Sequence, residues 1–190
     1  MEVEISAEAK NKQLNRLVAI TVVVLSVFTG LCNIKDENLV QAMQQAKADS
    51  VDTWGEYQAT KTKLHIAQTA KVQMQAIAAS AGHGGAAIIN TAIQSFDSEI
   101  AKYNKSAPQL AAKAKDFAAQ YDALNVHDDQ FDASEALVST AISLAAVAAL
   151  TESFAVLACG WAFGAFGVFM GVCGFARLAF HPDVLSNFLG

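Results

Sequence analysis

The sequence predicts an all-α membrane protein: three transmembrane helices, an N-terminal anchor plus a C-terminal hairpin, with an extramembrane antiparallel helical-hairpin, or coiled-coil, arm between them. Three observations predict it. Charge is scarce and unevenly spread, with 53% hydrophobic and only 16% charged residues, against roughly 25% in ordinary soluble domains. The middle of the chain carries apolar side chains at alternating steps of four and three. The last apolar run carries glycines at the same steps.

The first apolar run is "RLVAITVVVLSVFTGLCNI", 16–34, with no charge from Leu17 to Cys32. As a helix it spans about 27 Å, enough for a hydrocarbon core. Lys10, Lys12 and Arg16 flank it as they would a signal peptide, but no A-x-A-like cleavage site follows. Leu31 before Cys32 does not suit lipidation either. The run therefore reads as an uncleaved anchor. The second and third runs, 134–151 and 154–176, flank a three-residue break, "TES". So short a polar interruption predicts a hairpin that returns through the bilayer. Tails of 1–15 and 177–190 complete the chain. The positive charges ahead of the first run outnumber Lys35 behind it, which predicts a cytoplasmic N-terminus and an arm on the other side.

The arm, 35–133, is punctuated by "SAGHGGA" at 80–86, which predicts its turn. On the returning segment Ile89, Ile93, Phe96, Ile100, Tyr103, Ala107, Leu110, Ala114, Phe117, Tyr121 and Leu124 hold a 3.5-residue period, the mark of a coiled-coil seam. The outgoing segment has a smaller, more polar version in Leu39, Met43, Ala46, Ser50, Thr53, Tyr57, Thr60 and Leu64. Two antiparallel helices of about 40 residues would extend about 60 Å. Pro108 removes a backbone hydrogen bond and predicts a kink or break near 104–108. The stride resumes in phase beyond it and continues through Asp128, Phe131, Glu135, Val138, Ile142, Ala145 and Ala149, so one helix is expected to pass from the arm into the second span. That register puts Asp128 and Glu135 on the seam as a candidate acidic ring, with a solvated headgroup-level collar of acids as the simpler reading.

The glycines Gly160, Gly164, Gly167, Gly171 and Gly174 fall on one face of the third run. Between helices in lipid the hydrophobic force is weak and close backbone approach takes over, so this face predicts helix packing. Its partner is either the second span, where Ala141, Ala145 and Ala148 offer small side chains, or another subunit. Phe163, Phe166, Phe169 and Phe175 lie on the opposite face, and Trp161 is a candidate interfacial anchor set well inside the run.

The stretches "VDTWGEYQATKTK" (51–63) and "HDDQFDASEALVSTAISLAAVAALTES" (127–153) resemble the signatures of the DUF4337 family of bacterial membrane proteins. The order of anchor, arm and hairpin is the same, so the resemblance covers most of the chain. It points to Trp54, Tyr57, Gln58, Phe131, Asp132 and Glu135, and it implies a bacterial inner-membrane location. The chain departs from the pattern in an alanine-richer arm and in Glu152, which occupies a hairpin turn that is often basic in the family.

The chemistry expected from the residues is sparse. Net charge is −5 with no Lys/Arg stripe, which argues against nucleic-acid binding. Cys32, Cys159 and Cys173 all lie in apolar runs and read as inert thiols. His65, His83, His127 and His181 are scattered without zinc spacing. "GHGG" lacks a phosphate loop's lysine, and His127, Asp128, Asp129 and Asp132 read as a solvated collar before a cation site. No catalytic, cofactor or metal set is expected, and no enzyme. The expected role is a membrane-anchored structural or accessory protein whose partners are lipids, further copies of itself in a homo-oligomer, or a larger membrane complex. The alternative is an oligomeric, transport-associated pore whose selectivity is set by Asp128 and Glu135.

Overall fold

The computed structural model describes residues 12–80, 83–178 and 180. The outer parts of both tails and residues 81–82 of the expected turn lie outside the described residues. Three helices account for nearly all of the rest: α1 (Lys12–Ser80), α2 (His83–Thr151) and α3 (Phe154–Ala176). All three are long and apolar enough to cross a membrane. The chain divides into two compact units, Met1–Ala42 with Ala123–Gly190, and Met43–Asp122.

In the first unit the N-terminal part of α1, the C-terminal part of α2 and all of α3 pack together. Leu14 and Val18 of α1 meet Ala145 and Ala148 of α2 and Leu157 of α3, and further along Leu25 meets Val138 and Ala141. The opposite side of α1 presents Ile20, Val23, Val24, Val27 and Leu31 outward, as a lipid-facing surface requires. Between α2 and α3 the chain reverses in two residues. Glu152 takes the left-handed conformation (φ 51°), and the Ser153 N–H donates to the Ala148 carbonyl at 3.1 Å. This closure satisfies a carbonyl that would otherwise end α2 unpaired.

In the second unit α1 and α2 run antiparallel. Every position of the returning stride from Ile89 to Tyr121 is buried or half-buried, as is every outgoing position from Met43 to Leu64. Small side chains dominate the fully covered positions, with Ala46, Ala67, Ala107 and Ala114 among them. Small contacts let helix axes approach closely. The closeness is used at Ser50, whose hydroxyl donates to the Ala114 carbonyl at 3.0 Å. Register is reinforced at the edges: Lys71 pairs with Asp97, and the Lys47 ammonium sits 5.4 Å from the Tyr121 ring centre.

Two expectations are corrected here. Of the kink or break expected near 104–108, the break does not occur, because α2 runs through Pro108. Pro108 and Asn104 are both exposed, so the proline ring and the residue whose carbonyl loses its donor lie on the outer side of the helix, away from the seam. The turn is also shorter than 80–86. The backbone from His83 is already helical, since the first turn of a helix has no intrahelical N–H partners to lose and tolerates glycine there.

Candidate functional site

The sequence-selected residues fall into three places. The first is the glycine face of α3, whose five glycines are all buried. They pack within this chain and chiefly against α2. A β-carbon on Gly167 would lie 2.8 Å from Val138 Cγ2, 3.0 Å from Leu137 Cβ and 3.1 Å from the Val138 nitrogen. One on Gly171 would lie 2.6 Å from Phe28 Cζ and 2.8 Å from Ser134 Oγ. Gly160 faces Ala141 and Leu144, Gly164 faces Leu25, and Gly174 lies under the Phe131 ring. These contacts belong to the second span, one of the two partners the sequence left open, and to the anchor, which it did not name.

The second place is the arm seam described above. Trp54 and Tyr57, one helical turn apart, stack edge to face with centroids 5.3 Å apart, and Gln58 stays exposed.

The third place is the polar end of the three-helix unit, where α1 leaves its apolar run at Asp36, α2 approaches its own through 127–135, and α3 ends. Here Asp128 and Glu135 do not share one covered face within the chain. Asp128 is half-buried, whereas Glu135 is exposed and Ser134 is covered in its stead. Beyond Leu124 α2 packs against α3 as well as α1, so its covered arc widens and turns. Ser134, Ala141 and Ala148 become fully buried where the continued stride named Glu135, Ile142 and Ala149. A carboxylate is costly in such an arc, and Glu135 lies outside it.

Asp128 instead meets Asp36 of α1, and the two carboxyls hydrogen-bond to each other. Burial, and then the negative charges of Asp128 and Asp132, pushes Asp36 up to about 6. Burial raises Asp128 as well, while the hydrogen bond from Asp36 opposes that rise. Below about pH 6 Asp36 holds a proton and donates it to Asp128. The other Asp36 oxygen, Oδ1, is covered and has no hydrogen-bond partner among the described residues. Asp132 is also raised, by partial burial and then by Asp128, Asp129 and Glu135.

Beside this pair is a residue that sequence reasoning missed. Gln130 is fully buried. Its amide nitrogen donates to the carbonyls of Leu178, at 2.8 Å, and of Phe180. Its oxygen lies 3.1 Å from His127 Nδ1, a contact that requires the proton on that nitrogen. Arg177, in the left-handed conformation (φ 51°), turns the chain at the end of α3, and the Leu178 N–H closes back on the Cys173 carbonyl. Gln130 thus ties the exit of α3 to α2, and Phe131 reinforces the tie by packing edge to face on Phe175.

Among the described residues no three His, Cys, Asp or Glu side chains form a metal-holding group. Apart from the shared proton, what the cluster offers is structural: it joins all three helices where they leave the apolar zone. No curated protein and no solved structure matches the chain. One family model does match, that of a domain of unknown function, DUF4337, over residues 14–177. That match takes in all three helices almost entirely, and on it the chain belongs to the DUF4337 family.

Proposed function

We propose that this chain is a non-catalytic, membrane-anchored structural or accessory protein that self-associates, or joins a larger membrane complex, through its arm. The observation that carries the reading is the distal half of the arm. Ile66 and Val72 are each 63% exposed, and Ile88 is 76% exposed. A fully buried side chain of this kind contributes about 1.5–3 kcal/mol, so a partner surface that covered them would be well rewarded. The patterned features of the sequence, the two strides and the glycine face, also serve helix association. In the same reading the membrane is a bacterial inner membrane, with the N-terminus cytoplasmic and the arm on the far side. Its support is the excess of Lys10, Lys12 and Arg16 over Lys35.

Native mass measurement in a mild detergent tests the association. The expected result is an assembly or a stable co-purifying membrane protein, reduced when Ile66→Glu and Val72→Glu are combined. A strict monomer that brings nothing with it refutes the proposal. Labelling Ser80→Cys in intact cells with a membrane-impermeant maleimide tests orientation, and protection of that cysteine refutes the topology.

A further inference from the structure

We infer that the arm carries a binding site for a linear oligophosphate, or for a small molecule bearing a phosphate chain, in the groove between its two helices around Lys63 and Lys102. The groove is open to solvent and offers about 360 Å³, a volume in the range of small-molecule clefts. Its lining residues include three lysines, Lys63, Lys102 and Lys113, together with Thr60, Tyr103 and Gln109. None of its lining residues is a carboxylate.

Lys113 already lies over the Phe117 ring, but the others are unspent. Elsewhere in the arm Lys71 is paired with Asp97. Among the described residues neither Lys63 nor Lys102 has an ion pair or hydrogen bond, and the hydroxyls of Thr60 and Tyr103 and the Gln109 amide have no partner. The missing bond at Thr60 contrasts with Thr53 and Thr62, each of which donates to the carbonyl four residues back. Glu56, Glu99 and Asp116 are the acids closest in sequence to the groove lysines, and none comes within ion-pair distance of them. In a chain of net charge −5, a patch of cations left uncompensated around a concavity is a local reversal of sign, and such a reversal draws anions.

The spacing selects the shape of the anion. The register set by Ser50 with Ala114 and Lys71 with Asp97 brings Lys63 level with Lys102 on the facing helix. Lys113 lies three helical turns further along α2, about 16 Å by helix rise, with its ammonium 5.6 Å from the Phe117 ring centre. Two cations at one end and one at the other, with neutral donors between, suit an extended chain of oxyanions better than a single compact ion. Lysine binds each phosphate as a mobile point charge, which tolerates the flexibility of such a chain.

The test uses the full chain in detergent or lipid discs and inorganic tripolyphosphate as the probe, followed by titration calorimetry at low salt. Saturable binding with Kd on the order of 10–100 µM is expected, weakening with added salt as counterion-dependent contacts do. Combining Lys63→Gln with Lys102→Gln should weaken it at least about tenfold. The matched control, Lys105→Gln with Lys115→Gln, removes equal charge from α2 outside the groove and should change it less than about twofold. All four lysines are exposed, and circular dichroism should show unchanged helicity in both variants. The inference is overturned by no saturation at about 5 mM probe or by equal losses in the two double variants. It is also overturned by tighter binding of an acidic peptide than of tripolyphosphate, which would assign the groove to a protein partner.

Discussion

Replacing Asp36 by asparagine should make the three-helix unit more stable at neutral pH and remove the share of its acid-range pH dependence that Asp36 contributes. Asp36 titrates near 4 in an unfolded chain and at about 6 in the folded one, so the folded state holds this proton more tightly. Between those values the folded state binds more protons than the unfolded, and stability falls as pH rises. The favourable contribution is complete below about pH 4 and gone above about pH 6. A shift of about two units corresponds to about 3 kcal/mol at most, and water around a half-buried group cuts that to about 1–2 kcal/mol. In the asparagine variant the amide donates to Asp128 without a proton to lose. The variant should therefore match the parent near pH 4 and exceed it by about 1–2 kcal/mol at pH 8. Unfolding in mixed micelles, followed by Trp161 fluorescence in a Trp54→Phe background, measures both. Parallel pH curves for parent and variant, or a variant less stable at pH 8, would refute the shared-proton account.

Gly167→Ala should destabilise the same unit by about 1–3 kcal/mol, because its β-carbon would press on Val138 and on the α2 backbone, neither of which can swing away. Gly55→Ala is the counterpart. Nothing lies within 4 Å of that position, so helix propensity alone acts and should raise arm stability by about 1 kcal/mol. Chemical denaturation followed by circular dichroism ranks the two, and similar effects in both would contradict the packing assignment. Gln130→Ala strips the Leu178 and Phe180 carbonyls of their shared donor. It should cost about 1–3 kcal/mol locally, visible as faster amide exchange at 177–180, and undiminished protection there would show that the glutamine is not what holds the exit of α3.

The helices and their facing sides were legible in the sequence because both depend on periodicity. The 4–3 stride is a local property, and it persists wherever a helix keeps one neighbour. It misplaced Glu135 where α2 acquires a second neighbour, since a wider contact arc cannot be read from one helix's stride. Asp36 was within reach. Extending the outgoing stride backwards from Leu39 by steps of three and four gives Asp36 and then Cys32, half-buried and buried respectively. That Asp128 is its partner was not legible, because 92 positions separate them and only the antiparallel register of two long helices brings them level. Gln130 left no trace at all, because its partners are backbone carbonyls and side-chain patterning is blind to them.

The glycine face and the acidic pair solve one problem at opposite ends of the polarity scale. A three-helix unit in lipid gains little from hydrophobic burial between its members, so it depends on shape and on polar ties. Along most of α3 the tie is shape, with glycine backbone against Val138 and Ala141. Where the helices leave the apolar zone side chains become polar, and the joint passes to hydrogen bonds between Asp36 and Asp128 and from Gln130 to the end of α3. The first kind of joint is indifferent to pH, while the Asp36–Asp128 tie depends on a proton. Acidification should therefore tighten the α1–α2 junction near Asp36 and leave the Gly160–Gly167 contacts unchanged. Amide exchange measured at two pH values, corrected for its intrinsic rate, would separate the two zones, and a uniform response along α3 and α1 would show that they are not independent.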